Sequence, residues 1–238
     1  MTTSAATRQP PRPVDWLYFA TAIFFFAYVF GYYWTSAGGP VLLAVTLVPV
    51  TFVLFTLDSL RKNELYPRLP AAANYVIAAA YIALSAAVAV YMNVEYYDIG
   101  TVRAGVWSAA DLTMGVIMVA LIMEYARLRY FPLFVINILL VVYAVYGKHV
   151  PGMFFHPGLS WERLGTAMSV EMSTGVFSSL PQLALTLIGS FILVLSALRA
   201  FGCVESILRA SKRIAARSPH ALPQSAVLGS MAVGTVSG

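Results

Sequence analysis

The first long apolar stretch of the chain reads Trp16-Leu-Tyr-Phe-Ala-Thr-Ala-Ile-Phe-Phe-Phe-Ala-Tyr-Val-Phe-Gly-Tyr-Tyr-Trp34. It holds 19 residues and no charged side chain. About 20 apolar residues carry an α-helix across the hydrocarbon core of a bilayer, so this stretch predicts a membrane-spanning helix. A cleaved signal peptide is the alternative. Signal cores hold only about 7–15 apolar residues, which favours an uncleaved anchor.

Five further stretches have the same apolar character. The composition agrees, since 60% of the residues are hydrophobic and 11% are charged, against about 45–50% and 25% in soluble domains. The five are Val41–Leu57, Ala71–Met92, Ala109–Tyr125, Phe131–Tyr146 and Val176–Ala200, of which Val41–Leu57 and Phe131–Tyr146 are short. The sequence therefore predicts an all-α integral membrane protein with about six transmembrane helices.

The basic residues predict the orientation of these spans. Cytoplasmic loops of membrane proteins carry an excess of Lys and Arg. Twelve of the 15 basic residues lie before span one, between spans two and three, between spans four and five, or at the end of span six and beyond it. The other three are Arg103, Lys148 and Arg163. Both termini are therefore predicted to be cytoplasmic, and the +5 net charge reflects topology, with no support for nucleic-acid binding.

Four segments outside the spans also have a composition that predicts their structure. Residues 1–14 are rich in Ser, Thr, Pro and Arg and are expected to form a disordered cytoplasmic tail. The amphipathic stretch Leu164–Ser173 predicts an interfacial helix at the outer surface, and Cys203–Arg217 predicts a basic helix on the inner surface. Ala221–Gly238 is uncharged and rich in small residues, a composition that suits the start of a re-entrant hairpin.

Ionisable residues within spans are costly to bury and are therefore the first candidates for function. Asp111 follows the start of span four, where a helix N-terminal carboxylate is favoured over an ion or proton site. Glu124 is three residues before Arg127, which predicts an ion pair along the helix. Glu171 is expected at the membrane interface.

Enzymatic chemistry has little support in the sequence. His149, His156 and His220 lie in loops without metal-ligand spacing, and Cys203 is the only cysteine. Ser237 invites comparison with an intramembrane serine protease, but no histidine lies in a predicted span to act as its base. The chain is therefore not expected to be an enzyme.

Four segments together resemble a known family. They are Glu124-Tyr-Ala-Arg-Leu-Arg129, Tyr146-Gly-Lys-His-Val-Pro-Gly-Met-Phe-Phe-His-Pro-Gly158, Gly175-Val-Phe177 and Ala226-Val-Leu-Gly-Ser-Met-Ala-Val-Gly-Thr-Val-Ser-Gly238. They are similar to the fused permeases of TRAP (tripartite ATP-independent periplasmic) transporters of the TAXI type, in which the small and large membrane subunits are joined. The similarity spans roughly residues 95–238.

This resemblance implies a secondary transporter of the bacterial inner membrane. Such permeases take organic anions from a periplasmic substrate-binding protein and couple uptake to a sodium or proton gradient. The first hairpin of the family enters from the cytoplasmic side, in agreement with the predicted topology. Its tip would hold a sodium ion through oxygen ligands at Gly234, Thr235, Ser237 and Gly238. Without the resemblance, close packing of small residues between helices would be favoured there.

The resemblance also implies a domain organisation. Residues 15–129 correspond to a small-subunit-like bundle of four helices, and residues 130–238 to the fused helix and the opening of the transport region, ending in the first hairpin. We therefore expect the N-terminal part of such a permease, with its remainder as a partner. The alternative function is a helical scaffold subunit that binds another membrane protein and transports nothing.

Overall fold

The described part of the chain is built from helices. A computed structural model describes residues 12–172 and 174–215, with Val227, Ser230, Met231 and Gly234 beyond them, and contains no strand in these residues. The helices are α1 (Pro13–Thr35), α2 (Gly39–Arg61), α3 (Ala71–Val94), α4 (Ala109–Arg129), α5 (Phe131–Tyr146), α6 (Trp161–Ser169), α7 (Ser179–Leu183), α8 (Gly189–Ala200) and α9 (Cys203–Ala215).

Six helical segments of the described residues are long and apolar enough to cross a membrane, which confirms the predicted number of spans. The first four are α1 to α4. The fifth extends from α5 through a 3-10 turn to His149, and the sixth, Ser179–Ala200, includes α7, a π-helical segment and α8. The second span is longer than the sequence pattern predicted, because Pro40 enters the first turn and Arg61 the last, where both are tolerated.

The sixth span begins later than the sequence predicted. Val176 and Phe177 lie in a turn before α7, and the Phe177 side chain is fully buried in the hydrophobic core. The apolar run Val176–Ala200 therefore contains two structural parts. Its first residues fill the core of the bundle, and only the residues from Ser179 onward form the span.

The core of the compact unit Met1–Gln182 lies around α2. α2 packs against α1 and α3, while α4 packs against α3, α5 and α6. The main cluster of buried side chains is drawn from α2, α3, α4 and two loops, and comprises Val45, Phe52, Val88, Met92, Ile99, Met118, Leu121, Val170 and Phe177. A second cluster, Leu60, Leu65 and Ala78, lies at the other end of α2 and α3.

The predicted interfacial helix corresponds to α6, which packs closely against α4 of the bundle. Leu164, Thr166 and Ser169 are buried, and α6 lies so close to α4 that a Cβ added to Gly115 would be 2.7 Å from the Ser169 Cβ. Its following residue, Val170, is fully buried in the main core. Placement of α6 at the membrane surface stays a prediction.

The second compact unit, Leu183–Gly238, contains the π-helical segment Ala184–Ile188, α8 and α9. α8 is apolar and has Arg199 in its last turn, where a cation is favourable. α9 carries Glu205 in its first turn and is strongly amphipathic. The helix predicted over Cys203–Arg217 is thus present, with residues 216 and 217 outside the described residues, and its placement on the inner membrane surface stays a prediction.

Candidate functional site

The sodium site expected from the resemblance falls almost wholly beyond the described structure. Thr235, Ser237 and Gly238 lie outside the described residues. Gly234 is in helical backbone and is exposed, with no atom within 4 Å of the position that a Cβ would take. The site therefore stays a prediction. His220 also lies outside the described residues.

A charge cluster, called the outer charge cluster after its predicted side of the membrane, joins the end of α3 to the start of α4 and is defined by Glu95, Arg103 and Asp111 with Tyr91 and Ser108. Arg103 donates to the Glu95 carboxylate at 2.7 Å and to Asp111 Oδ1 at 3.3 Å. The Tyr91 hydroxyl also donates to Asp111 Oδ1, at 2.9 Å. The loop between α3 and α4 is thereby tied to the bundle by charged hydrogen bonds, which are stronger than neutral ones.

Asp111 is fully buried within this cluster, and both of its oxygens accept hydrogen bonds from the protein. Its Oδ2 accepts from the Ser108 backbone N–H at 2.8 Å, and its own N–H donates to Ser108 Oγ at 3.2 Å. This reciprocal pair is a capping box. The structure thus bears out the helix-terminal role that the sequence favoured for Asp111. Across the cluster, the hydrogen bond to Glu95 raises the pKa of Arg103.

A second charge cluster, called the inner charge cluster after its predicted side of the membrane, lies where the loop after α2 meets α3 and α4 and is defined by Tyr66, Tyr81, Glu124 and Arg127. Arg127 Nε donates to Glu124 Oε2 at 2.7 Å, which confirms the pair predicted from their spacing. The Tyr66 hydroxyl donates to Glu124 Oε1 and lies 2.9 Å from the Tyr81 hydroxyl. Burial, reinforced by the hydrogen bond to Glu124, raises the pKa of Tyr66. The sequence did not predict the contacts of either tyrosine with Glu124, because both are far from Glu124 along the chain and no local pattern links them.

Two further pairs at this end also escaped sequence reasoning. Arg129 bonds Glu64 at 2.9 Å, linking the end of α4 to the loop after α2. Arg61 Nε donates to Asp15 Oδ1 at 2.6 Å, linking the end of α2 to the start of α1. An available signal was the position of Asp15 in the first turn of a helix, where a carboxylate is favoured.

The segment Gly147–Gly158, which carried part of the family resemblance, folds into a tight loop at the predicted outer end of α5. His156 Nδ1 accepts from the Gly158 N–H at 2.9 Å, and the Leu159 N–H returns to the Ala144 carbonyl at 2.8 Å. Gly158 has φ +81°, and a Cβ there would lie 2.6 Å from the Val145 carbonyl oxygen. His156 and Gly158 therefore have a structural role in this loop.

Among the described residues, no group of three or more His, Cys, Asp or Glu side chains could hold a metal ion. Cys203 is a free thiol. The ionisable groups of the outer and inner clusters form ion pairs at the two ends of the helices. Their arrangement stabilises a bundle and leaves the interiors of the described spans without charged side chains.

These features define a multi-pass helical membrane protein with a compact bundle and a second helical unit. A protein-family model, described as the tripartite ATP-independent periplasmic transporter, DctM component, matches residues 116–238. Because this match covers more than half of the chain, the chain belongs to that family. It is thus a TRAP permease component, and the family implies a periplasmic binding protein as partner. No curated protein and no solved structure matches the chain.

Proposed function

We propose that the chain acts in binding-protein-dependent secondary transport of organic anions across the bacterial inner membrane, driven by a sodium or proton gradient. The observation that carries the proposal is the family match over residues 116–238, combined with six apolar spans. The resemblance of the loop Tyr146–Gly158 and of the terminal segment points to the fused TAXI type of permease.

The geometry supports a proposed transporter with one part that stays fixed and one part that moves. The outer and inner charge clusters join α3 and α4 at both ends, and α6 is locked to α4 at Gly115. Such a bundle suits the part of an elevator transporter that stays fixed in the membrane. The moving part would then include the terminal segment, with the cation held by backbone and hydroxyl oxygens of Gly234, Thr235, Ser237 and Gly238.

Sodium-linked stability tests this proposal directly. We expect the purified chain to melt at a higher temperature in sodium chloride than in equimolar potassium chloride, and to capture the periplasmic binding protein. Thr235→Ala should abolish the sodium-dependent increase in Tm. Ser230→Ala is the matched control, since the Ser230 hydroxyl already donates to the Val227 carbonyl, and it should leave the increase unchanged.

A non-transporting scaffold is the second candidate. It is favoured by the ion pairs of the described bundle, which give the two ends of α4 fixed partners. A chain that shows the same Tm in sodium and potassium, and captures another membrane protein but no binding protein, would establish the scaffold function and overturn the transport proposal.

A further inference from the structure

Two cavities lie along the seam where α1, α2 and α3 meet. The first, the arginine cavity, has a volume of about 220 Å³ and lies at the ends of the helices near the start of α1. Its polar wall includes Arg12, Asp15, Arg61 and Tyr75. The second, the apolar groove, has a volume of about 500 Å³ and lies farther along the same helices.

The arginine cavity presents preorganised positive charge. Arg61 is fixed by Asp15 at 2.6 Å, and its guanidinium carbon lies 4.5 Å above the centre of the Tyr18 ring. Arg12 also lines the cavity, so two arginines and one carboxylate, that of Asp15, contribute to its wall. The balance is one net positive charge. Guanidinium groups are well suited to phosphate, because their planar N–H donors match its oxygen atoms.

Helical periodicity places the arginine cavity and the apolar groove on one continuous face. In α2, Val53 of the groove and Leu60 of the arginine cavity are seven residues apart, and the groove residues Thr46 and Val50 lie seven and three residues before Val53. In α1, Val14 of the cavity and Thr21 of the groove are also seven residues apart. Spacings of three, four and seven residues return to the same side of an α-helix.

α3 shows the same relation. Tyr75 of the arginine cavity and Ala86 of the groove are separated by three helical turns. Between the two cavities, Leu17 of α1 is about half exposed, while Leu57 and Ala78 are buried beneath the seam. The surface that joins the cavities is therefore apolar.

The dimensions of this face match one lipid chain. From Arg61 to Thr46, where the groove ends, the rise along α2 is about 22 Å, close to the roughly 20–22 Å of one bilayer leaflet with its headgroup region. The far end of the groove is closed by polar groups that satisfy one another. Thr46 Oγ1 lies 2.8 Å from Asn93 Oδ1 and 3.1 Å from the Tyr28 hydroxyl. The space between is suited to hydrocarbon and ends where a single-leaflet chain would end.

We propose that this face binds one anionic phospholipid, with its phosphate in the arginine cavity and one acyl chain along the apolar groove. Charge complementarity selects the headgroup. The continuous apolar face distinguishes a lipid from a soluble phosphate, which would use the arginine cavity alone. The predicted cytoplasmic location of the start of α1 places the lipid in the inner leaflet.

A transmembrane helix of another protein is the competing occupant of the groove. The Ser85 hydroxyl lines it, is buried, and has no hydrogen-bond partner among the described residues. A partner helix could accept a hydrogen bond from it. The lipid is favoured because the same face ends in paired arginines, for which the apolar side of a helix offers no counter-charge.

Native mass spectrometry of the full chain in detergent tests the lipid. We expect one bound phosphatidylglycerol, retained in preference to phosphatidylcholine. Arg12→Gln should weaken its binding about fivefold, as expected for one arginine near an anionic headgroup. Ala86→Trp should fill the groove, so that no bound phosphatidylglycerol is detected. The matched controls are Arg68→Gln and Ala87→Trp, whose side chains are exposed and line neither cavity, and both should bind as the unaltered chain does.

Thermal melting separates the alternatives and shows that each variant is folded. Phosphatidylglycerol should raise the Tm of the unaltered chain, and inorganic phosphate should not. An equal increase with phosphate would reduce the site to a soluble-anion site and overturn the lipid proposal. Equal retention of phosphatidylcholine would do the same. A stable dimer or hetero-complex that Ser85→Ala dissociates would also overturn the lipid proposal. Such a complex would show that a transmembrane helix occupies the groove.

Discussion

Asp111 shows how one buried carboxylate organises an entire helix junction. It accepts from Tyr91 of α3, from Arg103 of the connecting loop and from the Ser108 backbone, while its own N–H completes the capping box of α4. A carboxylate can enter an apolar region only when such partners replace water. These hydrogen bonds offset the cost of burying the Asp111 carboxylate, and its function is to fix the start of α4.

Replacing this carboxylate should therefore weaken the bundle. Asp111→Asn removes the charge opposite Arg103 and presents an amide N–H₂ toward existing donors, so we expect a loss of about 1–3 kcal/mol in the free energy of unfolding. The measurement is denaturant-induced or thermal unfolding in detergent. Asp98→Asn is the control, because the Asp98 side chain is exposed, and it should change stability by less than about 0.5 kcal/mol. Equal effects would contradict the assignment.

Tyr66 gives a prediction about alkaline pH. Its folded pKa is raised, so its neutral form is favoured by folding. The stabilising contribution is complete below the unfolded pKa of about 10 and is lost as the pH rises above it toward the folded pKa. We expect the Tm of the unaltered chain to fall more steeply above about pH 10 than that of Tyr66→Phe. Parallel Tm profiles would show that the Tyr66 hydroxyl is not buried against Glu124.

At the scale of elements, α4 and α6 are joined by a contact that only glycine permits. A Cβ at Gly115 would meet the Ser169 side chain at 2.7 Å and its carbonyl carbon at 2.9 Å. The Ser169 hydroxyl is already bonded to the Gly165 carbonyl at 2.6 Å, so it has little freedom to move away. The short helix α6 owes its position on the bundle to this approach and to the buried Val170 that follows.

A matched pair of glycine substitutions isolates this contact. Gly115→Ala should cost about 1–3 kcal/mol of unfolding free energy, as overpacking does. Gly165→Ala in α6 has no atom within 4 Å of the new Cβ, so the better helix propensity of alanine should leave stability unchanged or raised by up to about 1 kcal/mol. Thermal unfolding of both variants provides the measurement. Similar Tm values would show that α6 does not pack on α4 at this point.

At the scale of the whole molecule, the distribution of basic residues predicts which end of each span is cytoplasmic. The single cysteine makes this testable in the natural chain, since Cys203 is a free thiol at the start of α9. A membrane-impermeant maleimide should label it in inside-out vesicles and not in right-side-out vesicles. In the double variant Cys203→Ser, Met153→Cys, the thiol lies in the outer loop, where Met153 is 90% exposed, and labelling should be reversed. Labelling of Cys203 from the outside would contradict the topology.

The sequence by itself determined the class of protein, the number of spans and the local ion pair of Glu124 with Arg127. These follow from hydropathy and helical spacing, which act over a few residues and can be read directly. The family resemblance likewise rested on short local motifs. The helix-terminal role of Asp111 was also accessible, because Ser108 and Asp111 have the spacing of a capping box.

Only the tertiary structure decided which distant residues meet. It brought Tyr66 to Glu124, Arg61 to Asp15, and Ser169 onto Gly115, and it moved Phe177 from the predicted sixth span into the core. It also aligned the arginine cavity with the apolar groove. In an apolar sequence many helix faces satisfy the same hydropathy rule. Their choice of neighbours depends on shape complementarity and on pairing charges across the chain, neither of which a local pattern contains.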